Sequence, residues 1–374
     1  MRAPVILVGA AALAASSGPV LYPLWLVART RRLCDAVPPR GLPGGWPSVT
    51  VVVPAFREQH VIAGKVAGLF GDGYLGRFEV LVVADDDATA AAARRTTAQV
   101  IAPGRRLGKS AAINLGIAAA NTELVVLNDA NTVLDPGSIA RMARWFADPS
   151  VGAVAGEKRA GAEGPYWRFE SFLKQREDRL GTTIGLVGEL AALRRDRFCP
   201  LPPDVAVDDL WLALDVVEQG AVVRYERTAV ATEDEDFRLR QVWERRTRVV
   251  AGALDVVVRR RHLLRGHPPV SAQLWGHRLL RMTVGPLAHA ALLIAAAVRA
   301  GRRPHRHPVC TLFLFGHVLA GAALARKADG RTVSRAVALA AQVVLLQAVG
   351  LGGLVRYLRG DRPVLWPKPE RQSP

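Results

Sequence analysis

Long uncharged runs near both ends of the sequence constrain the fold of this chain more than any other feature. One extends from Ala3 to Ala28, and three lie in the last third, at Met282–Val298, Pro308–Ala325 and Ala336–Val355. A helix of roughly 20 apolar residues spans the hydrocarbon core of a bilayer. We therefore expect one transmembrane helix near the N-terminus and two or three near the C-terminus. Met282–Val298 is the short run, which could span with a tilt or lie partly in the interface.

The residues that follow the first run indicate its orientation. Arg29, Arg31 and Arg32 end the run, and an excess of basic residues marks the cytoplasmic side of a membrane. A cleavable signal peptide is the alternative interpretation, because Ala12–Ala14 could be a cleavage site. The apolar run continues well beyond that site and little charge precedes it, which favours a retained transmembrane helix.

The charge balance is also interpreted through the membrane. The formal net charge is +17, from 50 Lys and Arg against 33 Asp and Glu, and the excess gathers beside the apolar runs, as in Arg259–Arg261 and Arg299–Arg306. Such clusters beside apolar runs indicate contact with anionic lipid headgroups. A nucleic-acid-binding surface would interleave aromatic residues with its basic ones, and aromatics are only 6% of the chain, so we expect no nucleic-acid partner. The cysteines lie far apart, which argues against a structural zinc site or a disulfide framework.

The middle of the sequence alternates between short apolar runs and Ala-rich stretches, which predicts an α/β fold. The predicted strands are Val49–Val53, Val80–Val83, Leu124–Leu127 and Val151–Ala155, and the predicted helices include Ser110–Ala120 and Pro136–Phe146. Fully apolar strands between helices are typical of a doubly wound, mostly parallel sheet that is covered on both faces. Ligands of such sheets bind beyond the carboxyl ends of the strands.

Polar segments follow the predicted strands where that geometry would place a ligand. They are Pro54–Glu58, Asp85–Asp87 and Asn128–Asn131, with a basic loop, Gly104–Ser110, between the last two. Any one of them alone is better explained by turn formers and helix caps. The basic loop lacks the glycine spacing of a P-loop, so an ATPase interpretation is weak. The order and spacing of the segments together indicate one site.

Acidic side chains in such a crevice suit a nucleotide diphosphate that arrives with Mg²⁺ or Mn²⁺, because these hard cations take oxygen ligands. One protein carboxylate is often sufficient, since phosphates and waters complete the shell. Asp129 is the best candidate for the metal, with Asn131 as a carbonyl ligand or an outer partner. Lys109 would offset phosphate charge, and Asp85 would accept hydrogen bonds from the base or ribose.

Taken together, these segments resemble family 2 inverting glycosyltransferases of the GT-A fold, over about residues 49–252. Membrane-bound members similar to cellulose, hyaluronan and poly-N-acetylglucosamine synthases have the most similar layout. Pro54–Glu58 is similar to the family's Pro-Ala-Tyr-Asn-Glu element, with Arg57 in place of Asn, and Asp129–Asn131 stands where the family has Asp-X-Asp. By this resemblance the donor-binding residues are Pro54, Glu58, Asp85, Lys109 and Asp129, and the metal ligands are Asp129 and Asn131.

The resemblance also implies an acceptor side and a catalytic base. Val207–Leu210 is similar to the family's Thr-Glu-Asp element. Asp209 would then be the base that deprotonates the acceptor hydroxyl, with Asp208 at the Glu position. The alternative for this pair is an acidic first helical turn, favoured by the helix dipole, and the two interpretations are compatible. Glu189 lies in a stretch that resembles the lining of the acceptor side.

A last element of the family, Gln-X-X-Arg-Trp, is degenerate in this chain. It falls within Gln241–Val249, where Val249 replaces the Trp. Because that Trp would help position the acceptor in chain-making synthases, its loss weakens the case for a processive polymerase. Arg245, Arg246 and Arg248 would bind the diphosphate or the acceptor, although a basic helix face on lipid headgroups would explain Arg245 and Arg246 nearly as well.

The sequence thus predicts a multi-pass protein of the cell membrane with a cytoplasmic catalytic domain. Its expected activity is inverting transfer from a nucleoside diphosphate sugar, with a UDP-sugar as the expected donor, to a lipid-linked or glycan acceptor. One alternative is a processive polysaccharide synthase subunit. Another is a catalytically decayed membrane scaffold or transport subunit, which the retention of Asp85, Asp129 and Asp209 disfavours.

The expected organisation of the chain has six parts. They are an N-terminal transmembrane segment with its basic flank (1–32), a linker rich in Pro and Gly (33–48), the glycosyltransferase domain (49–255), an interfacial amphipathic segment (256–281), two or three transmembrane helices (282–357) and a basic tail (358–374).

Overall fold

The computed structural model describes residues 2–42, 44–160, 164–233, 238–302 and 304–361. The chain forms two compact units. The sheet unit contains residues 32–235. The helical unit combines residues 1–31 with residues 236–362, and its described part is built from helices and their connections.

Strands and helices are interspersed through the sheet unit, whereas helices follow one another in the helical unit. The strands are β1 (Val49–Ala55), β2 (Phe78–Ala84), β3 (Gln99–Ile101), β4 (Leu124–Asn128), β5 (Thr132–Leu134), β6 (Val151–Ala160), β7 (Leu190–Arg194) and β8 (Val222–Glu233). The α-helices are α1 (Arg2–Ser16), α2 (Tyr22–Thr30), α3 (Ile62–Phe70), α4 (Asp87–Ala93), α5 (Lys109–Ala119), α6 (Ser138–Ala143), α7 (Gly164–Arg179), α8 (Asp208–Glu218), α9 (Leu239–Arg259), α10 (Val270–Gln273), α11 (Gly285–Arg302), α12 (Pro308–Ala328) and α13 (Arg335–Leu358). Ser17–Leu21 and Leu274–Val284 are π-helical, and Arg144–Ala147, Arg195–Arg197, Arg261–Leu264 and Pro304–Arg306 are 3₁₀ turns.

The strands of the described residues form one mixed sheet in the order β3-β2-β1-β4-β7-β6-β8-β5. β1 is parallel to β2 and β4, β2 to β3, and β6 to β8. β7 runs antiparallel to both β4 and β6, and β5 antiparallel to β8. The parallel half is the doubly wound arrangement that the apolar strands predict, and it ends at β7.

The parallel half is covered closely by helices because its strands are apolar on both faces. β1 and β4 are buried along almost their whole length, as a sheet packed on both sides requires. Helix α5 lies directly on β1: a Cβ atom at Gly116 would be 2.4 Å from Cγ1 of Val52. This contact shows that α5 packs closely against the sheet.

Two local predictions differ from the structure. The helix predicted from Pro136 begins at Ser138, because Gly137 takes a left-handed φ of 74° and caps it, a conformation that favours glycine. Its predicted last turn is the 3₁₀ turn Arg144–Ala147. Strand β7 was not predicted, because its sequence, Leu-Ala-Ala-Leu-Arg, consists of strong helix formers. Pairing with β4 and β6 overrides that preference.

The helical unit contains the segments that the uncharged runs predict. Within the described residues, Val8–Thr30, Val270–Arg302, Pro308–Ala328 and Arg335–Leu358 are helical, long and apolar enough to cross a membrane. The short run at Met282–Val298 lies inside the second of these, which spans 33 residues and is therefore longer than the roughly 20 that a bilayer needs.

Glycines allow close approach of helices within this unit. A Cβ atom at Gly276 would lie 1.9 Å from Cδ2 of Tyr22, and one at Gly350 would lie 2.4 Å from Cγ of Pro286. Small residues at helix contacts are typical of membrane helices, because packing replaces the hydrophobic effect as the driving force in lipid.

Candidate active site

The carboxyl ends of the parallel strands β1, β2 and β4 meet at one edge of the sheet, and the predicted polar segments follow them there. Pro54 is the second-last residue of β1, Asp85 directly follows β2, and Asp129 directly follows β4. Residues from three separate stretches of sequence therefore lie at one edge of the sheet, which is called the crevice below.

Asp85 attaches the basic loop to the end of β2. Its carboxylate accepts hydrogen bonds from the backbone N–H groups of Leu107 (2.6 Å) and Gly108 (2.8 Å). Gly108 has a φ of 88° and precedes α5. Because an ionised carboxylate offers about four lone-pair sites, Asp85 keeps acceptor capacity for a ligand while it fixes the start of α5, where Lys109 lies.

The segment after β1 is held in an uncommon backbone conformation. Arg57 has a φ of 54°, a value rarely adopted by residues other than glycine, and its N–H donates to Oδ2 of Asp86 at 2.7 Å. Glu58 is buried. The ring of Phe56 lies under the guanidinium of Arg106, 4.1 Å from the ring centroid. An aromatic ring is thus displayed beside the basic loop.

Lys109 is a cation that contacts two of the carboxylates of the crevice. Its Nζ lies 2.8 Å from Oδ1 of Asp129 and 3.7 Å from Oδ2 of Asp208, and it donates to the carbonyl oxygen of Gly188 at 3.4 Å. Burial alone would lower the pKa of Lys109, but the carboxylates of Asp129 and Asp208 raise it overall. The lysine therefore stays protonated at neutral pH.

Asp129 lies near two other acidic side chains, Glu189 and Asp208. Burial raises its pKa to about 6; Lys109 acts in the opposite direction, and Glu189 and Asp208 add to the rise. The crevice thus holds more carboxylates than Lys109 neutralises, which favours an additional bound cation.

Helix α8 presents the two predicted catalytic acids in its first turn. Asp208 is buried, whereas Asp209 is only partly buried, and Oδ1 of Asp209 accepts the N–H of Leu210 at 2.7 Å. Both acids are favoured there by the helix dipole. Asp209 is the more accessible of the two, as a base that meets an acceptor must be.

A buried charged cluster beside Asp129 was not predicted. Lys158 in β6 contacts the carboxylates of both Glu189 and Glu233. Glu233 ends β8, and its Oε1 accepts a hydrogen bond from the amide of Asn131 at 2.7 Å. The available signal was the charged run Glu157–Arg159 at the end of an apolar strand, but the partners of Lys158 are distant in sequence and only strand register brings them together.

A second lysine missed by sequence reasoning is Lys65 in α3. It is buried, and its Nζ donates to the carbonyl oxygen of Thr132 at 2.7 Å. Burial lowers its pKa to about 7, against the opposing effect of Asp129. Lys65 thus attaches α3 to the segment that follows Asp129. A lysine in the apolar sequence of α3 was the available signal.

The predicted arginines belong to the helical unit. Arg245, Arg246 and Arg248 lie in α9, where Arg246 and Arg248 are buried and Arg245 is partly buried. The burial of Arg246 disfavours its assignment to lipid headgroups. A role for the three arginines toward the diphosphate or acceptor stays a prediction.

Comparison with known proteins shows similarity both in the sheet unit and over most of the chain. The family model described as "Glycosyl transferase family 2" matches residues 50–198. A mannosyltransferase structure from Pyrobaculum calidifontis, PcManGT in complex with GDP-Man and Mn²⁺, has 26% sequence identity and a TM-score of 0.76, covering 94% of this chain and 98% of that one.

Two curated relatives are similar over less of their length. An N-acetylglucosaminyltransferase of Mesorhizobium japonicum is 28% identical over 225 residues, which are 52% of this chain and 52% of the relative. The pre-mycofactocin glycosyltransferase of Mycobacterium tuberculosis is 28% identical over 320 residues, 78% of this chain and 65% of the relative. The chain thus spans less than two thirds of either relative.

Proposed function

This chain carries a glycosyl transferase family 2 domain on a GT-A-type sheet, and from that premise we propose that it is a membrane-bound inverting glycosyltransferase. It moves a sugar from a nucleoside diphosphate sugar to a lipid-linked or glycan acceptor. The observation that carries this proposal is the cation of Lys109 held between the carboxylates of Asp129 and Asp208 at the strand ends.

The donor lies along the ends of β1 and β2, with Pro54, Glu58 and Asp85 on its nucleoside side. Asp85 binds the backbone of the basic loop and so fixes Lys109 at the first position of α5. The lysine ammonium and the N-terminus of the helix both favour a diphosphate there.

The acceptor reacts on the side of α8 and Glu189. The Asp209 carboxylate takes the proton of the acceptor hydroxyl while the oxygen of that hydroxyl attacks the anomeric carbon of the donor sugar. The bond from that carbon to the diphosphate oxygen breaks on the opposite face, and the nucleoside diphosphate leaves with the electron pair. One base is sufficient for this single displacement. Asp208, beside Lys109, helps hold that lysine toward the leaving group.

Asp129 and Asn131 fit a divalent cation with a small protein ligand set. The described residues contain no group of three or more His, Cys, Asp or Glu arranged for a metal, so diphosphate oxygens and waters would complete the shell of Mg²⁺ or Mn²⁺. The amide N–H of Asn131 donates to Glu233, which leaves the amide oxygen for ligation. The cation would supply neutralising charge to the leaving diphosphate.

A UDP-sugar is the first donor to test, because the site elements resemble those of UDP-sugar-using synthases. The similarity to a mannosyltransferase in complex with GDP-Man makes a GDP-sugar the second candidate. Val249, which stands where the family has the acceptor-positioning Trp, supports single transfer over the alternative of a polysaccharide synthase subunit.

The four apolar helices support membrane association, and we propose the cell membrane with the sheet unit in the cytoplasm, where nucleotide sugars are made. The acceptor is then a molecule presented at the bilayer surface, most simply a lipid-linked one. Arg245, Arg246 and Arg248 are proposed to serve the diphosphate or this acceptor.

The test is donor turnover by the full chain in nanodiscs. UDP- and GDP-sugars are supplied with Mn²⁺ or Mg²⁺ and a membrane lipid extract, and release of nucleoside diphosphate is followed. Asp209→Asn removes the base without changing size. Asp196→Asn is the matched control, since Asp196 lies in the turn at the other end of β7 from Glu189.

Metal-dependent turnover in the wild type and in Asp196→Asn, with a loss of about 100-fold or more in Asp209→Asn, is the expected result. Absence of turnover with every donor, or an Asp209→Asn variant equal to the wild type, would instead favour the decayed-scaffold alternative.

A further inference from the structure

We propose, as an extension that rests on the function above, that Glu233 is a positioning residue for the cation site. It holds the Asn131 amide so that the carbonyl oxygen of Asn131 serves as the neutral second ligand, and Lys158 holds Glu233. Glu233 acts through Asn131 rather than on the cation itself.

The first step of the argument is burial. Glu233 is 4% exposed, and an ionised carboxylate at such a position needs a compensating charge. Lys158, whose side chain is 1% exposed, contacts the carboxylates of both Glu233 and Glu189. One cation faces two anions, so the three side chains together keep a net negative charge.

The second step is that the negatively charged carboxylate of Glu233 faces the side chain of Asn131. Nδ2 of Asn131 donates to Oε1 of Glu233 at 2.7 Å. An aspartate at position 131 would bring a second carboxylate to that distance, and carboxylates so close cannot both ionise easily. An asparagine therefore fits where the family pattern has an aspartate, because the negative charge is carried by Glu233 instead.

The third step is geometric. The backbone of Glu233 pairs with Thr132 in β5 and with Ala160 in β6, so the carboxylate is fixed next to Asn131 by two strands. A ligand whose other polar group is tied to an outer partner keeps its orientation, and loss of such partners typically weakens metal binding about 10- to 100-fold.

The experiment measures Mn²⁺ binding directly, by the EPR signal of free Mn²⁺, to the full chain in nanodiscs with saturating UDP or, separately, GDP. Glu233→Gln removes the charge at constant size, and Glu233→Asp keeps the charge but withdraws it from Asn131. Asn131→Asp combined with Glu233→Gln moves the charge to position 131. Glu226→Gln is the matched control on the same strand, because Glu226 bonds Trp145 rather than the crevice. Thermal unfolding of each variant is recorded in parallel.

Both single Glu233 variants are expected to bind Mn²⁺ about 10-fold more weakly, Glu226→Gln as the wild type does, and the double variant within about threefold of the wild type. The inference is overturned if the Glu233 variants melt earlier but bind Mn²⁺ normally, or if the double variant is no better than Glu233→Gln. If the wild type does not bind Mn²⁺ in the presence of either UDP or GDP, the proposed function is overturned as well. Failure of the inference alone is therefore distinguishable from failure of the proposed function.

Discussion

The sheet unit and the candidate membrane spans differ in the contacts that their interiors make, which are between charged side chains in the first and between glycines and large side chains in the second. In the sheet unit, charged side chains contact one another away from bulk water, partly buried for Lys109 with Asp129 and fully buried for Lys158 with Glu233. In the spans, glycines lie against large side chains, as Gly276 does against Tyr22. The proposed diphosphate site would need fixed charges, whereas helices suited to lipid satisfy their backbone internally and associate by shape. Substitutions should therefore affect the two regions through different physical terms.

The largest effect is expected from removing the ammonium of Lys109 from the crevice. Lys109→Met leaves the partly buried Asp129 and the buried Asp208 without the ammonium that lies between them. The leaving diphosphate would then face these carboxylates without the ammonium that offsets its charge, so we expect sugar transfer to fall by about 100-fold or more. Nucleoside diphosphate release measures this.

Lys109→Arg, which keeps the charge, should retain more activity than Lys109→Met. Equal activity of Lys109→Met and the wild type would contradict the idea that buried charge is what the sheet unit uses.

The next effect tests shape in the helical unit. Gly276→Ala places a Cβ atom 1.9 Å from Cδ2 of Tyr22, and such overpacking costs about 1–3 kcal/mol. Gly316→Ala is the control in α12, because nothing lies within 4 Å of its Cβ position, and it should be neutral or stabilise by up to about 1 kcal/mol. Thermal unfolding in detergent compares them, and equal melting temperatures would remove the role assigned to close packing.

A smaller effect is expected at the basic loop. Asp85→Asn weakens the charge-assisted hydrogen bonds from Leu107 and Gly108, so we expect nucleotide affinity to fall about 10-fold, or ~1.4 kcal/mol. Asp87→Asn, on the exposed first turn of α4, is the control. Isothermal titration with UDP and GDP measures both, and a similar loss in the control would show that the loop attachment is not the cause.

The smallest effect is expected at the exposed edge of the crevice. Arg106→Ala removes the guanidinium that lies 4.1 Å from the centroid of Phe56, a contact worth about 0.5–1 kcal/mol at an exposed position. A two- to fivefold rise in donor KM follows from about that energy. Arg105→Ala, the neighbouring exposed arginine, should leave KM unchanged. A rise confined to one of the two nucleotides would also indicate which base lies beside the ring.

The ends of β1, β2 and β4 were predictable because a buried parallel strand is an apolar run that ends where polar residues begin. The apolar runs predicted β1, β2 and β4 to within a few residues, and the polar segments that follow these runs therefore lie at one edge of the sheet. The candidate spans were predictable for a similar reason, since length and apolarity alone define them. The π-helical stretch Leu274–Val284 leaves no comparable mark in the sequence, because its composition is that of an ordinary helix.

The buried cluster behind Asn131 could not be predicted from local sequence. Lys158 and Glu233 lie near the ends of two strands that are distant in sequence, and their contact depends on the parallel register of β6 on β8. Strand β7 was hidden for the same reason: only its place between β4 and β6 makes it a strand. Interactions that long-range pairing creates are absent from any short window of residues.

The reversal of β7 has a consequence for how such a chain can change over time. Because β7 begins where β4 ends, Leu190 pairs with Asn128, and the segment entering β7 reaches the same edge as the segment leaving β4. The proposed donor side is thus made by segments that follow the ends of β1, β2 and β4, whereas the proposed acceptor side, at Glu189, is made by the segment that precedes β7. Insertions before β7 could diversify the acceptor while the nucleotide sugar stays the same.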